Sequence, residues 1–280
     1  VLSFVISSKL RIFANNQPHV SWPNHVRYAA ANSPKHANNM RLEDILNHRR
    51  SVRHFDSAKP IDPEQVKACL QLATLAPTSS NMQLWECYHI TDKSMLEKMV
   101  PACLDQLAAS SAQQLVVFVT RPDLIKRRAQ AVLAFEQDNV RRNSPAEKQE
   151  KRIRRWQLYY GKFIPLWYGR CFGLAGLLRK AFVQVIGLFR PIVRQASEAD
   201  MRAVMHKSCG LVAQTFMLAM SEVGYDTCPL EGFDSWRVKR LLHLPYSADI
   251  NMVIACGIRL PDGVWGDRFR LPLSEMYHRV

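Results

Sequence analysis

The chain has 280 residues, 48% of them hydrophobic, and a formal net charge of +14. That length permits one large domain or two small ones with a substantial core, and the charge calls for an anionic partner: a nucleotide cofactor, nucleic acid or a membrane surface. The 7 Cys, an odd number without any C-x-x-C, argue against a disulfide scaffold or a zinc site and fit a reducing cytosol; the 9 His show no metal-ligand spacing.

In residues 1–40, Asn15, Asn16, Pro18, Pro23, Asn24, Asn32, Ser33 and Pro34 break any regular element, so an extended N-terminal arm is expected. Val1–Ile6 is too short for the apolar core of a signal peptide, and Lys9 and Arg11 follow it rather than precede it. Residues 41–48 form a short amphipathic helix that delivers a basic knot, RRSVRHF (Arg49–Phe55). Arg49, Arg50, Ser51 and Arg53 fall within five residues, and guanidinium forks suit a phosphate or a carbonyl edge; a solvated basic turn is the plainer reading. Asp62 and Pro63 mark a helix start, with Val66, Leu70, Ala73 and Ala76 at helical spacing and a stop before Pro77. Thr78, Ser79, Ser80 and Asn81 form a polar loop, and a strand with Tyr88 and Ile90 follows.

Downstream, Ser94–Val100 and Cys103–Gln113 read as helices. Leu115–Thr120 (LVVFVT) and Asn251–Ile258 (NMVIACGI) read as strands buried on both faces. The longest helix is capped by Ser197 with Asp200 three residues on, and Gly224 ends it. Helices outnumber strands, which predicts an α+β fold with a mixed central sheet flanked by helices, not a doubly wound fold. No G-x-G-x-x-G follows a strand.

Four segments together resemble the FMN-dependent nitroreductase family. They are RRSVRHF, APTSSNMQLW (Ala76–Trp85, with Leu84 where the family usually has Pro), CPLEGFD (Cys228–Asp234) and RFRLPLSEM (Arg268–Met276). The resemblance covers about residues 41–120 and 200–280. It implies one FMN domain over 41–280, an intertwined homodimer and a basic, hydrophobic helical insertion at 121–199. By resemblance, Arg49, Arg50 and Ser51 take the FMN phosphate or pyrimidine edge. Arg53 lies beside N1–C2, and Arg268 and Arg270 close on the phosphate. Glu231 and Gly232 place backbone at N5, and Pro77, Thr78, Ser79 and Asn81 come from the other subunit. The resemblance implies NAD(P)H as hydride donor, a ping-pong cycle with no dedicated acid or base, and a nitroaromatic, quinone or enone as acceptor. Rival readings are a flavin-storage protein without turnover and a nucleic-acid-binding protein; the latter lacks any recognised binding motif.

Residues 121–195 hold 17 Lys and Arg against 5 Asp and Glu, which is +12 of the chain's +14. The apolar runs FIPLWY (Phe163–Tyr168), CFGLAGLL (Cys171–Leu178) and AFVQVIGLF (Ala181–Phe189) are cut by Arg and Lys, and none reaches the roughly 18 residues of a membrane span. Two readings stand open: a substrate lid, or an amphipathic insert at 160–195 that lies on an anionic membrane. The expected location is cytoplasmic, or peripheral on the inner face of the membrane.

Overall fold

The computed structural model describes residues 41–280; the arm expected at 1–40 lies outside the described residues. Strands β1 (Trp85–Ile90), β2 (Gln114–Thr120), β3 (Asp226–Leu230) and β4 (Asp249–Gly257) form one sheet in the order β1-β2-β4-β3. Among the described residues all three pairings are antiparallel, and the expected parallel component is a single bridge between Ser51 and Thr227.

The central strand β2 explains the architecture. Every residue of it is buried, because successive side chains point to opposite faces and both faces are covered. Leu115, Val117 and Val119 pack with Val253, Ala255, Val52 and Phe55 on one side. Val116 and Phe118 pack with Ile254, Cys256, Phe216 and Met220 on the other. Helices α1 (Leu42–His48) and α2 (Pro63–Ala73) precede the sheet. The Asp62 side chain accepts the Glu64 amide and Pro63 opens α2, the cap read from the sequence.

Helix α3 (Lys93–Ala102) is followed by α4 (Leu107–Ser110), a single turn rather than the helix expected over 103–113. Leu104 and Asp105 adopt left-handed backbone, φ 58° and 53°, which no helix can contain. The Gln106 amide pins this kink by donating to the carbonyls of Cys103 at 2.9 Å and Gly232 at 2.6 Å.

The stretch from 121 to 199 is helical: α5 (Ile125–Asn143), α6 (Ala146–Leu158), a π turn (Tyr159–Phe163), α7 (Ile164–Tyr168) and α8 (Leu174–Ile186). α5, the π turn, α7 and the start of α9 (Glu198–Glu222) share a second core built from Ala129, Val132, Tyr160, Ile164, Met201 and Met205. Ser197 and Asp200 form the expected capping box, and Gly224 at φ 79° lets the chain leave α9. α10 (Ser235–Leu241) covers the sheet beside α3. All seven cysteines are free thiols; burial pushes Cys69 and Cys209 up to about 12, which keeps them unreactive at neutral pH. Among the described residues no helix is long and apolar enough to cross a membrane.

Candidate active site

The basic knot is laid along the free edge of β3. Ser51 bridges Thr227, the Val52 amide donates to the Thr227 carbonyl at 3.1 Å, and Phe55 bridges Arg259. Val52 and Phe55 turn inward and are buried, which leaves Ser51 and Arg53 to alternate outward. The 260–270 loop closes over this edge. The Arg53 amide donates to the Gly263 carbonyl at 2.7 Å, and a Cβ on Gly263 would lie 2.5 Å from the His54 carbonyl oxygen. Only glycine allows that approach.

Together these segments enclose a cavity of about 270 Å³, lined by Arg49, Arg50, Ser51, Arg53, Arg268 and Arg270, with Trp265 and Phe269 as apolar walls. Five guanidinium groups therefore face one small space, with Asp267 the single carboxylate in the lining. None of the five is paired with a carboxylate among the described residues. Burial, and then the nearby charges of Arg268, Arg270 and Arg50, hold the Arg49 pKa below its ordinary value. Arg53 and Arg49 also lie close enough to Cys228 to oppose the upward push of burial on its thiol. Such a cluster is electrostatically incomplete until an anion enters.

The cluster is held from below. Arg259 donates from its backbone N and from Nε to Asp226, at 2.8 Å each, and from Nη2 to the same carboxylate. Nη2 also donates to the His48 carbonyl at 2.8 Å, which fixes the end of α1 next to Arg49. His48 Nδ1 lies 2.9 Å from Ser221 Oγ, whose hydroxyl donates to the Ile45 carbonyl. Arg268 has a structural role besides lining the cavity. Its Nη1 donates to Leu46 O, and its Nη2 to Asn47 O and Arg49 O, at 2.7–3.0 Å. It caps the C-terminus of α1, where cations are favoured, and so orients Arg49 as well as adding charge.

The sequence profile of the nitroreductase family matches residues 46–258. The chain belongs to that family. The match spans the helical stretch 121–199. Protein DrgA of Synechocystis is 27% identical over 239 residues, covering 83% of this chain and 93% of DrgA. MhqN of Bacillus subtilis, named as a candidate NAD(P)H nitroreductase, is 25% identical over 231 residues, with 82% and 95% coverage. Among solved structures, a candidate nitroreductase of Exiguobacterium sibiricum in complex with FMN superposes with a TM-score of 0.60 at 18% identity, covering 86% of this chain and 98% of that one. The ydfN protein of Bacillus subtilis gives 0.62 at 21% identity, with 84% and 97% coverage. These likenesses establish the nitroreductase fold.

Within one chain of this family member, the expected site residues fall into two sets. The first lies on the β3 edge: the Arg cavity is at the start of β3, and Glu231 and Gly232 follow its end, roughly 16 Å further along the strand. The second, Pro77–Asn81, precedes β1 at the opposite edge, about 14 Å away across four strands, and does not line the cavity. That loop is strained and pinned. Ser80, Asn81 and Gln83 all have positive φ, near 50°. The Ser79 amide donates to Ser208 Oγ, Tyr160 donates to the Ser80 carbonyl at 2.9 Å, and Ser80 Oγ meets the Tyr159 hydroxyl at 2.8 Å. The π turn aims two consecutive tyrosines at one serine, a widening often found at functional sites.

Sequence reading missed Trp265, Phe269 and Arg259. The first two had a signal, since aromatics interleave with the basic pair in VWGDRFR. Arg259 had none, because its partners lie 33 and 211 residues away.

Proposed function

We propose that the protein is an FMN-dependent oxidoreductase that uses NAD(P)H to reduce an electron-poor organic acceptor such as a nitroaromatic, quinone or enone. The observation that carries this reading is the cavity of five carboxylate-free guanidinium groups in a chain of the nitroreductase family. Its charge and size suit the phosphate end of a flavin nucleotide. Bound FMN supplies the hydride chemistry, accepting from the nicotinamide and passing to the acceptor in a ping-pong cycle.

The chain's own residues do the rest. Arg49, Arg50 and Arg270 would neutralise the phosphate and Ser51 would offer it a hydroxyl donor, with Arg268 contributing charge from its capping position. Arg53, on the β3 edge, sets positive charge where a reduced ring becomes anionic. Glu231 and Gly232 continue that edge, and Gly232 has no Cβ to keep a planar ring at a distance. Its carbonyl is held by Gln106, so the turn is rigid before any ligand arrives.

A homodimer completes this arrangement. The Pro77–Asn81 loop sits at the far edge of the sheet from the Arg cavity, and a two-fold axis can bring one chain's loop to its partner's β3 edge. Light scattering of the FMN-loaded protein is expected to give twice the chain mass; a flavin-loaded monomer would rule out the interfacial site.

The deciding experiment is spectroscopic. Purified protein, reconstituted with FMN, is expected to be yellow and to bleach when NADH or NADPH is added without oxygen. Return of the yellow colour on adding a quinone would complete the cycle. A protein that cannot be loaded with FMN sinks the reading, and one that loads but is bleached by neither nucleotide is a flavin-storage protein instead.

A further inference from the structure

Helix α8 is apolar on both sides, and only one side has a partner. Gly176 and Val183 face inward and are buried. A Cβ on Gly176 would lie 2.4 Å from the Glu198 amide nitrogen, so α8 is seated directly on the start of α9. The opposite side carries Leu174, Leu177, Leu178, Ala181, Phe182 and Val185, all exposed. At 100° per residue these six fall within one arc of about 140° that no polar side chain interrupts. Phe172 before the helix is fully exposed, and Leu188 and Phe189 after it are 76% and 84% exposed. Isolated exposed apolar residues are ordinary, but a contiguous helical face with aromatic flanks is not.

The sequence leading through this face is strongly basic, and the nearest carboxylate, Glu198, accepts from the Cys171 and Gly176 amides on the inward side of α8. From Lys151 to Ser197 the sequence contains ten Lys and Arg and no Asp or Glu. Lys180 sits at the margin of the apolar arc, and Arg170 and Arg194 lie just before and after the helix. Arg179 is turned inward, where it donates to the carbonyls of Ala196, Leu166 and Gly169, so it leaves the apolar face intact. At 13 residues α8 is only about 20 Å long, too short to cross a bilayer but suited to lying in its surface.

We propose that α8 and its flanking turns form a docking surface for an anionic lipid bilayer, with Leu178 and Phe182 at the centre of the inserted face. An apolar stripe of Leu, Phe and Val, flanked by Lys and Arg, is the chemistry of interfacial helices. A second copy of this chain is a poor occupant. An isologous contact would set Arg170, Lys180 and Arg194 near the same cations of the other copy, whereas a leaflet rich in anionic headgroups complements them. The proposal does not rest on the cofactor, since neither the Arg cavity nor the 77–81 loop includes a residue of α8.

The test uses the whole protein with two kinds of vesicle, phosphatidylcholine alone and phosphatidylcholine mixed with phosphatidylserine. The protein is expected to co-sediment with the anionic vesicles at low salt, and less at high salt. Leu178→Glu/Phe182→Glu is expected to weaken that binding on the order of a hundredfold, because two large side chains leave the inserted face and two negative charges enter it. Phe182→Trp is expected to shift its emission to the blue on anionic vesicles. Absence of binding at low salt, or equal binding by the double variant, would overturn the proposal. So would a change in oligomeric mass on introducing the two glutamates without vesicles, which would show that a second copy covers this face.

Discussion

Replacing Arg49 by alanine is expected to lower FMN affinity about ten- to a hundredfold, the loss of one charge-assisted phosphate contact worth roughly 1.5–3 kcal/mol. The same change is expected to leave the apo-protein no less stable than before. Arg49 is half-buried, makes no ion pair among the described residues, and is crowded by Arg268, Arg270 and Arg50, which together with burial depress its pKa. In the empty site its charge is therefore a burden, and removing it relieves repulsion. FMN titration by flavin fluorescence and a thermal melt of the apo-protein read the two effects separately. Arg270→Ala, at an exposed position, is expected to follow the same pattern more weakly. Arg268→Ala is expected to break it, losing stability as well as affinity, because the Leu46, Asn47 and Arg49 carbonyls lose the guanidinium that donates to them. Unchanged FMN titrations for both Arg49→Ala and Arg270→Ala would remove the cavity from the cofactor site.

That contrast among arginines marks the limit of what the sequence made legible. Local signals were readable because each is a contact between residues a few positions apart. The Asp62 cap, the Ser197–Asp200 box and the apolar run of β2 belong to this kind. The helix expected over 103–113 failed because Leu104 and Asp105 are held left-handed by Gln106, whose second partner is Gly232, 126 residues away. That the Arg knot gathers basic side chains followed from residue type alone. Which Arg caps a helix did not, since that depends on where α1 ends in space. The separation of the 77–81 loop from the cavity was a matter of topology too, visible only once β1 and β3 were known to be opposite edges of one sheet.

The Arg259–Asp226 pair beneath the site carries the largest expected effect on stability. Asp226 is buried, its side chain 3% exposed, and Arg259 satisfies it from the backbone amide, Nε and Nη2. Replacing Arg259 by methionine keeps the packing volume and the backbone amide but leaves the buried carboxylate without its guanidinium partner, with only His48 Nε2 3.8 Å away. Breaking a buried pair from one side costs about 3–5 kcal/mol, and the low end, about 3 kcal/mol, is expected here because the Arg259 side chain is still 28% exposed. Urea unfolding of the apo-protein at fixed concentration reads this as a lower midpoint at an unchanged slope. Adding Asp226→Asn is expected to recover part of the loss, since the stranded charge and not the missing cation is the main penalty. The effect should also reach the site. Arg259 holds the His48 carbonyl at the end of α1, directly before Arg49, so the single variant is expected to bind FMN less tightly although Arg259 does not line the cavity. A midpoint within experimental error of the parent, or a double variant no more stable than the single, would show that the pair is not what anchors the arginine cluster to the sheet.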